Sequence, residues 1–354
     1  MKRSIVLSVL VTVAMLFSSC EKEIINLDNG VNVEEEAIAD SRNNQNQDYF
    51  LVANRGSSTI SVFNAKNTNF ITEITLPDEG AQPTYLAHSK KNDAIYVGDF
   101  ANSKVIYYDD DTFDYEGEIT IEEGAFHMWI NNKVNQLWVN NIVSKTTSVI
   151  DLYTNTVIGT IALPTSEIPE LTENAVQHDV TISPSGYAAY VTVLDGPETS
   201  YVVMYNTYTL EYIKHTDVGG DAHLLPVGKK LYVPSQNASE VSVLNRFNLN
   251  ELGVIPFNSA HGITKSKKFV FVTGIADNKV GVIKRNTNQV VFEIDTEYNT
   301  PHNLAVNKKG KKLFLSHSGA TSNKVVFYKV KNNGTLILLS EYESGLNPFG
   351  VLNY

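Results

Sequence analysis

Residues 301–330 read PHNLAVNKKGKKLFLSHSGATSNKVVFYKV, and variants of this stretch recur along the chain. An apolar run follows His302, a turn occupies residues 307–310, and two short strands separated by a polar loop complete the unit. Asn and Gly adopt the backbone conformations that hairpin turns need, and short runs of β-branched and aromatic residues suit a pleated sheet. The stretch therefore predicts a series of antiparallel hairpins.

The second strand of this unit has seven copies, spaced by about forty residues. The copies are residues 50–53, 95–98, 137–140, 189–192, 231–234, 270–273 and 313–316. A repeat of that length accommodates four strands and is typical of propeller blades. We therefore expect an all-β fold, a single seven-bladed β-propeller that spans residues 48–354.

The two ends of the repeat region are complementary. The chain begins this region with a second strand at Phe50 and ends with a lone first strand at residues 348–352. Pairing the last strand with the first ones closes the ring and leaves no exposed sheet edge at the seam. A pair of β-sandwiches would not give one repeat that runs through the midpoint of the chain.

The first nineteen residues have the pattern of an export signal. Lys2 and Arg3 precede an apolar run at residues 5–17, and Ser18 and Ser19 precede Cys20, the only cysteine. The run is too short to favour a permanent membrane span. The pattern resembles a bacterial lipoprotein signal, which implies removal of residues 1–19 and lipidation of Cys20. The alternative is an ordinary cleaved signal peptide that leaves Cys20 free.

Residues 20–47 are polar and acidic, with three consecutive glutamates at residues 34–36, which predicts a disordered tether. Without residues 1–19 the chain has 26 basic and 39 acidic residues, a net charge of −13. This charge disfavours nucleic acid and anionic lipid surfaces as partners, so membrane attachment should come from the lipid. We expect a lipid-anchored protein of the cell envelope, in the outer membrane of a Gram-negative bacterium.

The second strand of the repeat resembles a strand that recurs in a known group of propellers. It reads Tyr96-Val97-Gly98-Asp99 in one repeat and Tyr190-Val191-Thr192-Val193 in another. These strands resemble the YVTN family, also called YncE-like or surface-layer-protein-like repeats, over residues 48–354. The resemblance implies the seven-bladed fold and says little about function, since one fold hosts many sites.

Histidine recurs where the first strands begin. Aligned on those starts, the seven positions are Thr84, His127, His178, His223, His261, His302 and Phe349. The intervals range from 38 to 51 residues, so only closure of the ring can bring these side chains together. First strands are innermost in a propeller, and the five histidines are predicted to surround one mouth of the central channel.

Several converging imidazoles suit a transition metal, copper or zinc. Asp179 and Asp221 lie beside two of the histidines and are candidates to orient them, and Trp129 is a candidate to flank the ring. The propeller of nitrous oxide reductase is similar in holding a copper–sulfide cluster with histidines at blade starts. That cluster takes seven histidines, and this chain has neither a cupredoxin-type domain nor a second cysteine. Nitrous oxide reduction is therefore not expected.

Three functions stay open. The first is a binding module whose histidines hold a metal or a metal-containing ligand; lipoprotein propellers of the Bacteroidetes that capture corrinoids beside outer-membrane transporters are similar in fold and anchor. The second is a metal-dependent lyase or lactonase resembling the streptogramin lyases, with His261 or His302 as general base. The third is an adhesion propeller that binds a surface protein and whose histidines only line a hydrated channel. The first is preferred, so an enzymatic role is not the leading expectation.

Overall fold

Residues 48–354 are described by the computed structural model, and they form seven four-stranded antiparallel sheets. The signal sequence, Cys20 and the tether lie outside the described residues. The strands, in chain order, are β1 (Tyr49–Asn54), β2 (Thr59–Asn64), β3 (Phe70–Thr75), β4 (Pro83–Ser89), β5 (Ala94–Asp99), β6 (Lys104–Asp109), β7 (Tyr115–Thr120), β8 (Ala125–Asn131), β9 (Gln136–Asn141), β10 (Thr146–Asp151), β11 (Thr156–Ile161), β12 (Val176–Ile182), β13 (Ala188–Leu194), β14 (Thr199–Asn206), β15 (Tyr212–Gly219), β16 (Leu225–Val227), β17 (Lys230–Ser235), β18 (Glu240–Asn245), β19 (Glu251–Pro256), β20 (Ala260–Lys265), β21 (Phe269–Gly274), β22 (Lys279–Lys284), β23 (Gln289–Asp295), β24 (Pro301–Val306), β25 (Lys312–His317), β26 (Lys324–Val330), β27 (Leu336–Glu343) and β28 (Pro348–Asn353).

Six sheets use four consecutive strands each, and the seventh combines β28 with β1, β2 and β3. In that seventh sheet Leu51 of β1 pairs with Leu352 of β28, so the last strand of the chain becomes the first strand of the first blade. The predicted seven-bladed, all-β propeller and its offset closure are confirmed.

The strands differ in burial according to their place in the blade. Every residue of the second strand β5 is buried, whereas the fourth strand β23 alternates between exposed and partly buried side chains. Neighbouring blades pack through apolar faces; Phe50 of the first blade lies 5.3 Å from Phe314 of the last, between ring centroids. Within residues 48–354 no helix is long and apolar enough to cross a membrane.

The first strands contact one another around the axis, and six of the seven share a β-bulge near their start. In β24, for example, Pro301 pairs with His317 and Leu304 with Leu315, so His302 and Asn303 together oppose one residue of β25. The exception is the strand that begins near His223. There Ala222 pairs with Ser235 in the same register as Leu225 with Tyr232, so no extra residue is inserted.

Candidate metal centre at the channel mouth

The bulges define two kinds of position at the channel mouth. First bulge positions are occupied by Thr84, Phe126, His178, His261, His302 and Phe349, and second positions by Tyr85, His127, Asp179, Gly262, Asn303 and Gly350. His223 occupies the corresponding place in the one strand without a bulge. Bulges often lie next to functional sites because they redirect side chains out of the regular alternation of a strand.

The predicted alignment of five histidines at one position is wrong for His127. Phe126 is the counterpart of Thr84 and His178, and His127 takes the second bulge position, where the neighbouring blade has Asp179. The inserted residue shifts the alternation of the strand, and sequence spacing alone does not show such a shift.

All five predicted histidines nevertheless form one cluster. Between ring centroids, His127 lies 4.9 Å from His178 and 5.1 Å from His223, and His178 lies 4.8 Å from His223. His261 continues the series at 4.2 Å from His223, and His302 lies 4.9 Å from His261. Each of the five has between 4% and 7% of its surface exposed, so the imidazoles are shielded from bulk water.

Asp179 joins two of the imidazoles. Its Oδ1 lies 3.0 Å from Nδ1 of His127, and its Oδ2 lies 3.7 Å from Nδ1 of His223. The backbone N–H groups of Val180 and Leu224 also donate to this carboxylate, at 2.7 and 2.8 Å. Asp179 therefore contacts histidines of both flanking blades, and not the adjacent His178. A carboxylate on Nδ1 fixes the tautomer of an imidazole and leaves its Nε2 as the basic nitrogen.

Three imidazole nitrogens in the cluster are buried and have no hydrogen-bond partner among the described residues: Nε2 of His127, Nδ1 of His178 and Nε2 of His261. Other imidazole nitrogens of the cluster do have partners. Nε2 of His223 lies 3.0 Å from Nδ1 of His261, and the amide of Asn303 lies 2.8 Å from Nδ1 of His302. A buried polar atom without a partner costs free energy, and a bound ion or ligand would remove that cost.

The electrostatics favour neutral imidazoles. Burial lowers the pKa of His178 and of His261 well below the usual range of histidine, and neighbouring imidazoles add to the effect. Burial also lowers the pKa of His302, to about 3. Burial alone would raise the pKa of Asp179, but His127 and His223 outweigh it and hold that pKa well below its usual range. His178, His261 and His302 are therefore neutral nitrogen donors at neutral pH, and the carboxylate of Asp179 is ionised.

The possible metal-ligating atoms of the cluster form two compact groups. One group consists of His127, His178 and His223, another of Asp221, His223 and His261, and within each group the possible ligand atoms lie within 4.8 Å of one another. Two nitrogens bound to one zinc ion lie at most about 4.2 Å apart, twice the usual bond length. The side chains of either group therefore have to move closer together before all three can coordinate one ion, and His223 belongs to both groups.

Aromatic side chains occupy the part of the mouth that lacks histidine. The ring of Tyr85 stacks on His127 at 3.8 Å, and Phe349 lies 4.2 Å from His302. Phe126 completes this aromatic arc at 5.5 Å from Tyr85, and the guanidinium of Arg55 lies 5.4 Å from the centre of Phe349. The mouth therefore combines five imidazoles with three aromatic rings.

A channel cavity of about 440 Å³ adjoins the cluster along the axis. His127, His223 and Asp179 belong to its wall, and so does the predicted ligand-binding residue Trp129, two residues further along β8 than His127. Asp221, the other predicted carboxylate, has its Oδ1 3.9 Å from Nε2 of His223. The structure thus places Asp179 and Asp221 beside imidazoles and Trp129 in the channel wall.

Tyr85 and Asn303 were not predicted from the sequence. Both occupy second bulge positions, and Nδ2 of Asn303 donates to the hydroxyl of Tyr85 at 3.2 Å as well as contacting His302. Both residues directly follow a first bulge residue, as His127 and Asp179 do. This position can be recognised in the sequence only when the location of the bulge is known. The histidines outside the cluster have local partners instead: His88 contacts Asp110 at 2.6 Å, and His317 contacts the carbonyl of Asn299 at 2.9 Å.

Comparisons with known proteins support the fold. Residues 41–157 match a family model described as a 6-bladed β-propeller, DUF5128, which covers about a third of the chain. No curated protein matches the sequence. The structure is similar to periplasmic gluconolactonase of Pseudomonas aeruginosa, with a TM-score of 0.70 and 13% identity over 86% of this chain and 99% of that one. A protein from Lactobacillus plantarum gives a TM-score of 0.70 and 16% identity over 87% and 99% of the two chains. Dihydro-heme d1 dehydrogenase NirN, in a complex with DHE, gives 0.60 and 10% over 86% and 75%. At these identities the likeness establishes the propeller fold alone.

Proposed function

We propose that the propeller is a binding module whose channel mouth holds a transition metal ion through the histidine cluster. The observation that carries this proposal is the group of His127, His178 and His223, whose ligand atoms lie within 4.8 Å of one another. Two of these three imidazoles have a buried nitrogen without a partner among the described residues.

The donor set favours copper or zinc. Neutral imidazole is the ligand that both ions accept readily, and hard ions such as magnesium and calcium prefer sites built from oxygen atoms. Because the pKa of His178 and of His261 is lowered well below its usual range, these nitrogens need no deprotonation at neutral pH before they bind. Asp179 supplies the outer carboxylate that commonly orients a metal-binding histidine.

The aromatic arc and the channel suit a metal that arrives within a small organic ligand. Tyr85 and Phe349 offer apolar ring surfaces beside the imidazoles, and the cavity of about 440 Å³ lies within the size range of small-ligand sites. NirN, similar in fold, is described as a dihydro-heme d1 dehydrogenase in complex with DHE. The proposal includes the envelope setting expected from the sequence, with Cys20 as the lipid attachment point and a transporter or surface protein as partner.

The test is metal analysis of the purified chain after exposure to copper or zinc and removal of excess ion. We expect about one ion per chain, and loss of that ion in the H178A/H223A/H261A variant. The matched control is H215A, which removes a histidine of β15 that contacts Tyr212 and lies outside the cluster. The proposal fails if the wild-type chain retains no metal, or if the triple variant retains as much as the control.

A second candidate function is hydrolysis of a lactone or a related ring. The observation that favours it is the pairing of His127 Nδ1 with Asp179 at 3.0 Å, which leaves a buried, unpartnered Nε2 available as a general base beside the channel. Gluconolactonase of Pseudomonas aeruginosa shares the fold. A panel of sugar lactones assayed with and without a chelator tests this function. Turnover that disappears in H127Q supports it, and absence of turnover under both conditions excludes lactonase activity on those substrates.

A further inference from the structure

A second concave surface lies at the far end of the channel, formed mainly by the two neighbouring blades β20–β23 and β24–β27, with Val227 and Gly228 of the preceding blade. This basic groove has a volume of about 610 Å³. Its cationic residues are Lys265, Lys267, Lys268, Arg285, Lys308, Lys309, Lys311 and Lys331. No carboxylate lines it among the residues that the structure describes, although the chain as a whole has a net charge of −11.

The groove is built by turns whose conformation is fixed. The side-chain oxygen of Asn307 accepts the N–H groups of Lys311 at 2.9 Å and Lys312 at 3.0 Å, and the N–H of Gly310 donates to the carbonyl of Asn307 at 2.7 Å. Gly310 has a φ of +66°, a conformation that suits glycine. These contacts fix the conformation of the turn between β24 and β25, which lines the groove.

Arg285 fixes the opposite side of the groove. Its Nη1 donates to the carbonyls of Ser266 and Lys267, both at 2.8 Å, and so anchors the turn between β20 and β21. Lys267 and Lys268, both exposed, project from this anchored turn. Because Arg285 donates to carbonyl oxygens in these contacts, its positive charge is not neutralised by them.

Lys265 connects the groove with the channel. It belongs to the walls of both cavities, as does Val306, and its ammonium group donates to the carbonyl of Pro226. Burial lowers the pKa of Lys265 to about 8, and the nearby Arg285 adds to the effect. An anion placed in the groove would relieve this repulsion between like charges.

We propose that the basic groove binds a compact polyanion, a small molecule that carries several phosphate or sulfate groups. Eight cations around one concavity can contact several anionic groups at once, and ammonium groups bind phosphate oxygens as point charges. The volume lies within the range of small-ligand sites. A long nucleic acid or a flat anionic membrane would extend beyond the groove and meet the acidic remainder of the protein.

The probe is inorganic tripolyphosphate, titrated calorimetrically into the full chain at low and at physiological ionic strength. Inorganic monophosphate and sulfate are titrated for comparison and are expected to bind more weakly. We expect saturable binding that weakens as salt is added. In K267Q/K268Q the affinity should fall roughly tenfold, because two cations beside the ligand are removed. A chelator should leave the affinity unchanged, since the groove does not depend on the histidine cluster.

The matched control is K90Q/K91Q. These lysines are exposed and occupy the equivalent turn between the first and second strands of another blade, β4 and β5, outside the groove. The control should bind tripolyphosphate as the wild type does. The proposal is overturned if tripolyphosphate does not bind, if both lysine variants lose affinity equally, or if the chain binds phosphatidylglycerol vesicles and not tripolyphosphate.

Discussion

The two ends of the channel present opposite chemistry on the same scaffold. At one end six of the seven first strands begin with a β-bulge, and five buried imidazoles converge with one carboxylate. At the other end the same strands finish in turns, and eight cationic side chains surround a groove. The histidine mouth is shielded from water and largely neutral, whereas the groove is partly open and charged. The two ends of the first strands thus differ in chemistry: buried imidazoles lie at one end, and turns with cationic side chains lie at the other.

The largest expected difference between the two ends is in their response to pH. Burial lowers the pKa of four mouth histidines, namely His127, His178, His261 and His302. Below about pH 6.5 the unfolded chain binds protons that the folded chain does not, so stability falls as the pH drops. The slope approaches about 1.4 kcal/mol per pH unit for each histidine whose pKa in the folded chain is far below its usual range, namely His178, His261 and His302. Urea unfolding of the metal-free chain at about pH 7, 6 and 5 measures it.

The groove should change the stability of the chain in a different pH range. The pKa of Lys265 is lowered to about 8 from a usual value of 10.5, so the unfolded chain binds the extra proton between these values and stability should rise with pH there. For the histidine mouth, the contradicting result is a free energy of unfolding that does not change between about pH 7 and 5, because buried neutral imidazoles require it to fall.

The next largest effect is expected from Asp179→Asn. Both carboxylate oxygens accept backbone N–H groups, and an amide offers only one acceptor oxygen, so one buried donor loses its partner. We expect a loss of about 2–4 kcal/mol in the free energy of unfolding. Metal affinity should fall as well, because His127 loses the group that orients it. Denaturant unfolding and metal titration check the two parts.

A smaller effect is expected from Gly262→Ala at a second bulge position. A Cβ there would lie 1.9 Å from the carbonyl oxygen of His302, so the backbone of the neighbouring blade has to shift. We expect a loss of about 1–3 kcal/mol, measured by denaturant unfolding. The control is Gly98→Ala in β5, where the nearest atom would be the Thr84 hydroxyl at 3.1 Å and where β1 already has Ala53. An equal loss in both variants would show that the mouth is not specially constrained.

The smallest effect is expected from the groove in the absence of a polyanion. K267Q/K268Q removes two exposed charges from a turn that Arg285 anchors through backbone carbonyls. The free energy of unfolding should change by less than about 0.5 kcal/mol, as for other surface substitutions. A loss comparable to that of Asp179→Asn would mean that these lysines are structural and would remove the contrast between the two ends.

The fold could be predicted because it depends on a repeated apolar pattern. Second strands such as Ile95 to Gly98 are fully buried, so their composition is constrained in every blade, and the offset end at Pro348 left one possible closure. The histidine cluster could be predicted because ring closure places equivalent strand starts together. The exact position of His127 could not, since a bulge inserts a residue without changing the composition of the strand.

The basic groove was not predicted because its charges come from separate turns. Lys267 and Lys268 precede Lys308 and Lys309 by about forty residues, and each pair alone resembles an ordinary solvated turn such as Lys90 and Lys91. Only the packing of neighbouring blades shows that the two pairs share a wall. In both regions the sequence does not show toward which side a turn or a bulge directs its side chains.

Copper bound to the imidazoles of the channel mouth should have a characteristic electron paramagnetic resonance spectrum. Electron paramagnetic resonance of the chain loaded with one equivalent of Cu²⁺ tests this binding most directly, because nitrogen ligands split the copper signal. We expect a spectrum of several equatorial nitrogens, lost in H178A/H223A/H261A and retained in H215A. A spectrum of oxygen ligands alone, or one that the triple variant leaves unchanged, would contradict it.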